Sequence, residues 1–181
     1  MDMTEKKISS KLIYDGKILR LHVDTVELPN GKQALREVAD HPGGVAIVAI
    51  DNQDNVLTVT QYRYAFSRVM EEIPAGKLER GEDPHDAALR ELKEETGATP
   101  ARFTELGPLV VSPGAYGEVL YLYLAEGLDM GETSPDEDEF LALIRTPFDE
   151  MVRRVMDGEL TDAKTVAGVL KVYALRQRKK Q

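Results

Sequence analysis

The segment DPHDAALRELKEETG, residues 83–97, constrains this chain most: it is punctuated as one helix, and it carries too many acids to stand alone. Asp83 can cap the helix and Pro84 suits its first position. Gly97 suits the left-handed residue that ends it. A helix is therefore expected over Pro84–Thr96. At 3.6 residues per turn Glu91 and Glu95 lie one above the other, with Glu94 one step aside. Ala88, Leu89 and Leu92 form the adjoining apolar stripe that docks on a sheet, so the carboxylates stand at the edge of a buried face.

Like charges at such an edge raise one another's pKa values, at about 1.4 kcal/mol for each unit. Arg90, four residues before Glu94, offsets part of that cost, and a divalent cation would offset far more. A solvated helix laced with Glu–Lys and Glu–Arg pairs is the ordinary outcome for such a composition. The spacing of the acids, with a further Glu82 ahead of the helix, argues against it here. All the nearby donors are oxygen, the chain has no cysteine, and there is no HExxH spacing. That donor set points to Mg²⁺, with Mn²⁺ as a substitute, and away from Zn²⁺.

The 181 residues suit one compact domain with an added arm. A net charge of −9 argues against nucleic acid as a partner. The absence of cysteine fits a reducing cytoplasm. MDMTEKKISSKL offers no secretory apolar core, and no run approaches the roughly 18 apolar residues of a membrane span. The first forty residues read as strands, with an Asn-Gly turn in PNGK returning ILRLHVDTVEL into ALREVAD. VAIVAI, residues 45–50, reads as a strand buried on both faces, and VLTVTQYRY pairs back on it. ARFTELGPLVV, EVLYLYLAEGL and FLALIRT are further strands, the last preceded by an acidic loop. Two helices close the chain, one from Pro147 to near Gly158, the other capped by Thr161 or Asp162. Unevenly placed helices among strands imply an α+β fold with a mixed sheet.

The stretch from Gly76 to Ala98 resembles the Nudix hydrolase signature: G, five residues, E, seven residues, R-E, a hydrophobic residue, one residue, E-E, one residue, G, and a hydrophobic residue. Gly76, Glu82, Arg90, Glu91, Leu92, Glu94, Glu95, Gly97 and Ala98 stand at those positions, Ala98 as a weak hydrophobic match. The chain looks most like the ADP-ribose pyrophosphatase branch. EIPAGKLERGE resembles that branch's run into the signature, and SPGAYGE resembles its S-P-G-x-x-x-E segment, with Pro113 sixteen residues past Gly97. ELPNGK, REVADHPGG and DAKTVAGVL extend the likeness over nearly the whole chain. Gly117 departs from it, standing where the branch commonly has a polar residue.

The resemblance implies an α/β/α sandwich around a mixed sheet, residues 43–181, preceded by an N-terminal antiparallel hairpin, residues 1–42. It implies a homodimer in which those N-terminal strands swap to the partner. The implied reaction is Mg²⁺-dependent hydrolysis of ADP-ribose to AMP and ribose 5-phosphate. Hydrolysis of another nucleoside diphosphate sugar or a dinucleotide is the alternative, and a non-catalytic ADP-ribose sensor is a third, opposed by the intact Glu91, Glu94 and Glu95.

On this resemblance Glu91 and Glu95 are expected metal ligands, joined by the Ala75 carbonyl, with Glu94 ligating or orienting, Arg90 holding Glu94, and Glu82 auxiliary. Gly76 and Gly97 shape the loop and the helix end. The general base is expected in SPDEDEF, at Glu137 or Glu139. Arg63 is expected to meet phosphate. Arg36 and Glu37 resemble adenine-side contacts supplied by the partner, and Tyr14 is the stacking candidate. Ser112, Gly114 and Glu118 are expected to flank the ribose phosphate half. His22, His41 and His85 are read as structural.

Overall fold

A computed structural model describes residues 1–135 and 140–178, which fall into two compact units. The first unit comprises Met1–Gly43 and Val110–Val119. Its strands β1 (Lys6–Asp15), β2 (Arg20–Glu27) and β3 (Gln33–Asp40) form an antiparallel sheet in that order. The Asn-Gly turn is where the sequence places it: Gly31 sits at φ +78° and Leu28 N–H donates to the Lys32 carbonyl at 2.8 Å. The expected hairpin is, however, a three-stranded sheet. The first forty residues read as strands, but β1 has no separate signature because it lacks the alternation of a half-buried strand: all ten residues are exposed, and register shifts fall at Ile8 and Ile13.

The second unit comprises Gly44–Leu109 and Leu120–Gln181. It runs β4 (Gly44–Ile50), β5 (Asn55–Arg63), a 3-10 turn (Tyr64–Phe66), β6 (Arg68–Glu72), β7 (Ala75–Lys77) and α1 (Pro84–Thr96). β8 (Ala98–Val110), β9 (Val119–Met130), β10 (Ala142–Pro147), α2 (Phe148–Met156) and α3 (Ala163–Arg178) follow. The sheet order is β10-β5-β4-β9-β8, with β4 parallel to β9 and antiparallel to β5, so the sheet is mixed as expected. β4 and β5 pair only at Ala49–Leu57 and Ile50–Val56. Beyond that point β6 pairs with β5, and β7 pairs with β4 through Ala46–Ala75 and Val45–Gly76. These two short strands are too brief to carry a period of their own.

Every residue of β4 is buried, and its alternation assigns each side of the sheet a layer. Val45, Ile47 and Ala49 pack with Ala87, Ala88 and Leu92 of α1. Ala46, Val48 and Ile50 pack with Phe148, Met151 and Val155 of α2 and Val169 and Val172 of α3. The result is the α/β/α sandwich. The α1 stripe differs slightly from expectation: Ala87 is in the core and Leu89 only half-buried. Fully buried Leu92 contributes about 1.5–3 kcal/mol. α2 starts at Phe148, one residue later than expected, since Pro147 still pairs in β10. Asp162 is the α3 cap, its Oδ2 accepting from Thr165 N–H at 3.0 Å. No helix among the described residues is long and apolar enough to cross a membrane.

Candidate active site

The site is built where α1 faces the strand β7. Asp83 accepts from His85 N–H at 2.8 Å and begins α1, a cap worth about 1 kcal/mol. Gly97, at φ +72°, ends it, donating to the Lys93 carbonyl. A Cβ on Gly97 would overlap the Gly131 carbonyl oxygen, so this position requires glycine on two counts. The helix is thereby held in one rotation. Glu95 faces inward at 6% exposure, and Glu91 and Glu94 sit half-buried.

Glu95 Oε2 accepts from the Ala75 amide at 3.0 Å. Ala75 and Gly76 are registered against β4, so the peptide meeting the acids is fixed by the sheet. A Cβ on Gly76 would overlap the Glu91 carboxylate. The glycine is there for close approach, and its backbone is not left-handed. The fold thus brings Glu91, Glu95 and the Ala75–Gly76 peptide together, a grouping that the family resemblance implies and no local spacing encodes.

Arg90 organises the remaining acids. Its Nη1 donates to Glu91 Oε1 and to Glu94 Oε2, each at 2.9 Å. Its Nε and Nη2 donate to the two oxygens of Glu82 at 3.0 and 3.1 Å. The hydrogen bond to Glu82, opposed by burial and reinforced by Glu91 and Glu94, holds the guanidinium charged well above its ordinary range. Glu82 is in turn pulled below the usual carboxylate range by Arg90, then by the Glu79 amide. Both Glu82 oxygens face Arg90, so it anchors the arginine in this structure.

Arg63 ends β5 and lies against Glu72, Nε to Oε1 at 2.8 Å and Nη2 to Oε2 at 2.7 Å. That bond raises its pKa against burial, and the charges of Glu72, Asp162 and Glu95 add to the effect. Glu72 was not among the sequence candidates. It also accepts from Lys164 Nζ, 92 residues away, and nothing local in the sequence announces such a pairing.

In the first unit, Tyr14 lies on β1, 58% exposed. Arg36 is engaged by Glu5, Nε to Oε2 at 2.9 Å, while Glu37 pairs opposite Val23 and is exposed. Ser112–Gly117 form a turn, with Tyr116 N–H donating to the Ser112 carbonyl at 3.0 Å and Gly117 N–H to Ala39 O at 2.9 Å. Gly114 is in open space, and Glu118 lies 3.5 Å from His41. Glu137 and Glu139 lie outside the described residues.

His22 bridges Asp24 and Asp40 at 2.9 and 3.2 Å, a sheet-binding role. His85, read from the sequence as structural, has Asp83 and Asp86 close by. All three are exposed, and Asp83 is committed to the helix cap.

Residues 40–168 match the model of the NUDIX domain, and residues 5–39 match that of the nucleoside diphosphate sugar hydrolase N-terminal domain. With the mixed-sheet sandwich and the carboxylate helix in place, the chain belongs to the Nudix hydrolase family. It is 44% identical over 167 residues to a methanol dehydrogenase activator of Bacillus methanolicus, spanning 91% of this chain and 90% of that one. It is 41% identical over 169 residues to an ADP-ribose pyrophosphatase of Bacillus subtilis (strain 168), spanning 92% and 91%. A crystal structure of an ADP compounds hydrolase shares the fold, with a TM-score of 0.86 at 21% identity over 99% of this chain and 98% of that one.

Proposed function

We propose that the protein hydrolyses the pyrophosphate bond of ADP-ribose to AMP and ribose 5-phosphate, using Mg²⁺ or, in substitution, Mn²⁺. The observation that carries this reading is the closure of Glu91 and Glu95 on the Ala75–Gly76 peptide, an all-oxygen cradle that a single Cβ would fill. Such a donor set suits a hard divalent cation. Glu91, Glu95 and the Ala75 carbonyl would hold it, with Glu94 and Glu82 in support. When bound, it would neutralise the diphosphate and lower the pKa of an attacking water.

The chain's own residues do the rest. Arg90 bridges Glu91 and Glu94 through one Nη1 and so offsets their mutual repulsion and orients both carboxylates. Arg63 presents a planar cation suited to phosphate oxygens. Glu137 or Glu139 takes the proton from the attacking water. Tyr14, Arg36 and Glu37 contribute to the adenine half, and Ser112, Gly114 and Glu118 to the ribose phosphate half. The protein acts as a cytoplasmic homodimer with exchanged N-terminal strands, a reading supported by the half-exposed Ile8, Leu12, Ile13 and Tyr14 along β1.

The match of residues 5–39 to a nucleoside diphosphate sugar hydrolase segment favours a second reading, the same chemistry on another nucleotide sugar. Incubation with Mg²⁺ and, separately, ADP-ribose, ADP-glucose and NADH tests both. AMP from ADP-ribose at the highest kcat/KM, abolished by EDTA, is expected. Faster turnover of ADP-glucose selects the second reading, and binding of ADP-ribose without turnover of any of the three refutes both.

A further inference from the structure

Glu72 lies outside the signature and is 3% exposed. Its two oxygens take the Nε and Nη2 of Arg63, and Oε2 also takes Lys164 Nζ. Lys164 in turn meets Asp162 Oδ1 at 3.0 Å. Removing a carboxylate from water costs several kcal/mol, and apolar side chains of the same volume often hold a core equally well. Cohesion of β5, β6 and α3 therefore gives no reason for two cations on one buried acid. What the arrangement does fix is direction.

The Arg63 side chain remains 41% exposed although its fork is seated on Glu72. The pairing uses two of the five guanidinium N–H groups and leaves three. Glu72 stands three residues before Ala75, whose N–H meets Glu95, so the seat of the Arg63 fork and the carboxylate cradle are held on one short run of chain, and the charge of Glu95 acts on Arg63 as well. The residues after Glu72 are each tied to a different element. Ile73 N–H donates to Thr165 Oγ1 of α3 at 2.9 Å, the Pro74 carbonyl accepts from Ile47 of β4 at 2.9 Å, and Ala75 N–H meets Glu95 of α1. Arg63 and the Ala75 peptide thus share one fixed origin at Glu72.

We propose that Glu72, backed by Lys164, is a positioning residue for diphosphate binding, holding the Arg63 guanidinium beside the Glu91–Glu95 cradle so that its remaining N–H groups meet the substrate's phosphates. The proposal rests on the hydrolase reading above and adds to it a residue acting only through Arg63. Lysine at position 63 would keep the charge but not the fork.

The test is a double-mutant cycle on binding of α,β-methylene-ADP in magnesium buffer, measured by calorimetry for wild type, Glu72→Gln, Arg63→Gln and the double variant. Each single change is expected to weaken binding about tenfold, and the double variant to bind no more weakly than Arg63→Gln alone. With ADP-ribose, Glu72→Gln is expected to raise KM with kcat little changed. Wild-type affinity in Glu72→Gln, or losses that multiply in the double variant, overturns the proposal, as does a wild-type chain that ignores the probe. If Glu72→Gln lacks the native near-UV dichroism, Arg63→Lys carries the test: about tenfold weaker binding is expected, and unchanged binding overturns it. A chain that binds the probe in this pattern but leaves ADP-ribose intact refutes the hydrolase reading alone. Turnover of ADP-ribose with independent effects at 63 and 72 refutes the positioning role alone.

Discussion

Glu95 and Gly76 show how little room the cradle has at the level of single residues. Glu95→Gln keeps an oxygen to accept from Ala75 N–H and removes only the charge. Turnover is therefore expected to fall at least about a hundredfold with the melting temperature nearly unchanged. Near-normal rates would remove Glu95 from the proposed ligand set. Gly76→Ala forces the Glu91 carboxylate aside, and since that is the end of a flexible side chain, the fold yields cheaply. Its stability is expected to stay within about 1 kcal/mol of wild type, while activity falls by about a hundredfold, the effect of a displacement near 1 Å. A calorimetric scan beside a Mg²⁺ titration of activity separates the two. The spacing of these residues is legible in the sequence because α1 is regular: Asp83, Pro84 and Gly97 fix its ends and 3.6 residues per turn fix its faces. The Glu72–Lys164 contact is not legible, because its partners are joined only by the fold.

Between elements, α3 is pinned to the strap that carries Ala75. Thr165 Oγ1 accepts from the Ile73 amide and donates to Asp162 Oδ2 at 2.6 Å, and Thr165 is fully buried. Thr165→Val keeps the shape and strands that amide, at a cost of about 1–3 kcal/mol, read as a shift in urea midpoint. An unchanged midpoint would mean that Ile73 finds another acceptor. Glu72 adds a pH dependence to the same junction. Burial alone would push its carboxyl up, but Arg63 and Lys164 outweigh burial and hold it at about 2, below the ordinary 4.5. A group depressed on folding adds its stability in full above the ordinary value and loses it as pH falls through the folded one. Wild type is therefore expected to exceed Glu72→Gln by about 3 kcal/mol at pH 7, and to lose that margin between pH 4.5 and 2 in urea titrations. A margin that persists at pH 2 would assign it to packing.

For the whole molecule, β1 is the strand on which assembly is expected to depend. Its ten exposed residues include Ile8, Leu12, Ile13 and Tyr14, each about half exposed, on a strand with an open edge. Deleting residues 1–42 is expected to convert a dimer into a monomer and to raise KM for ADP-ribose. Sedimentation velocity of the truncated chain decides the first point, and a truncated chain that stays dimeric removes the exchanged-strand reading. β1 was invisible to periodicity because all of its residues are exposed, while the β2–β3 turn was visible in Asn30-Gly31.

By itself the sequence determined what depends on neighbours along the chain: the bounds of α1, the stacking of Glu91 over Glu95, the buried run of β4, the Asn-Gly turn, and the oxygen character of the site. Tertiary structure alone decided that β6 and β7 enter between β4 and β5, that Ala75 meets Glu95, and that Glu72 draws Arg63 and Lys164 together. Helix periods and caps act over a few residues, so a single chain reveals them. Contacts between residues 20 to 92 positions apart depend on how the sheet is ordered, and no local pattern encodes that order.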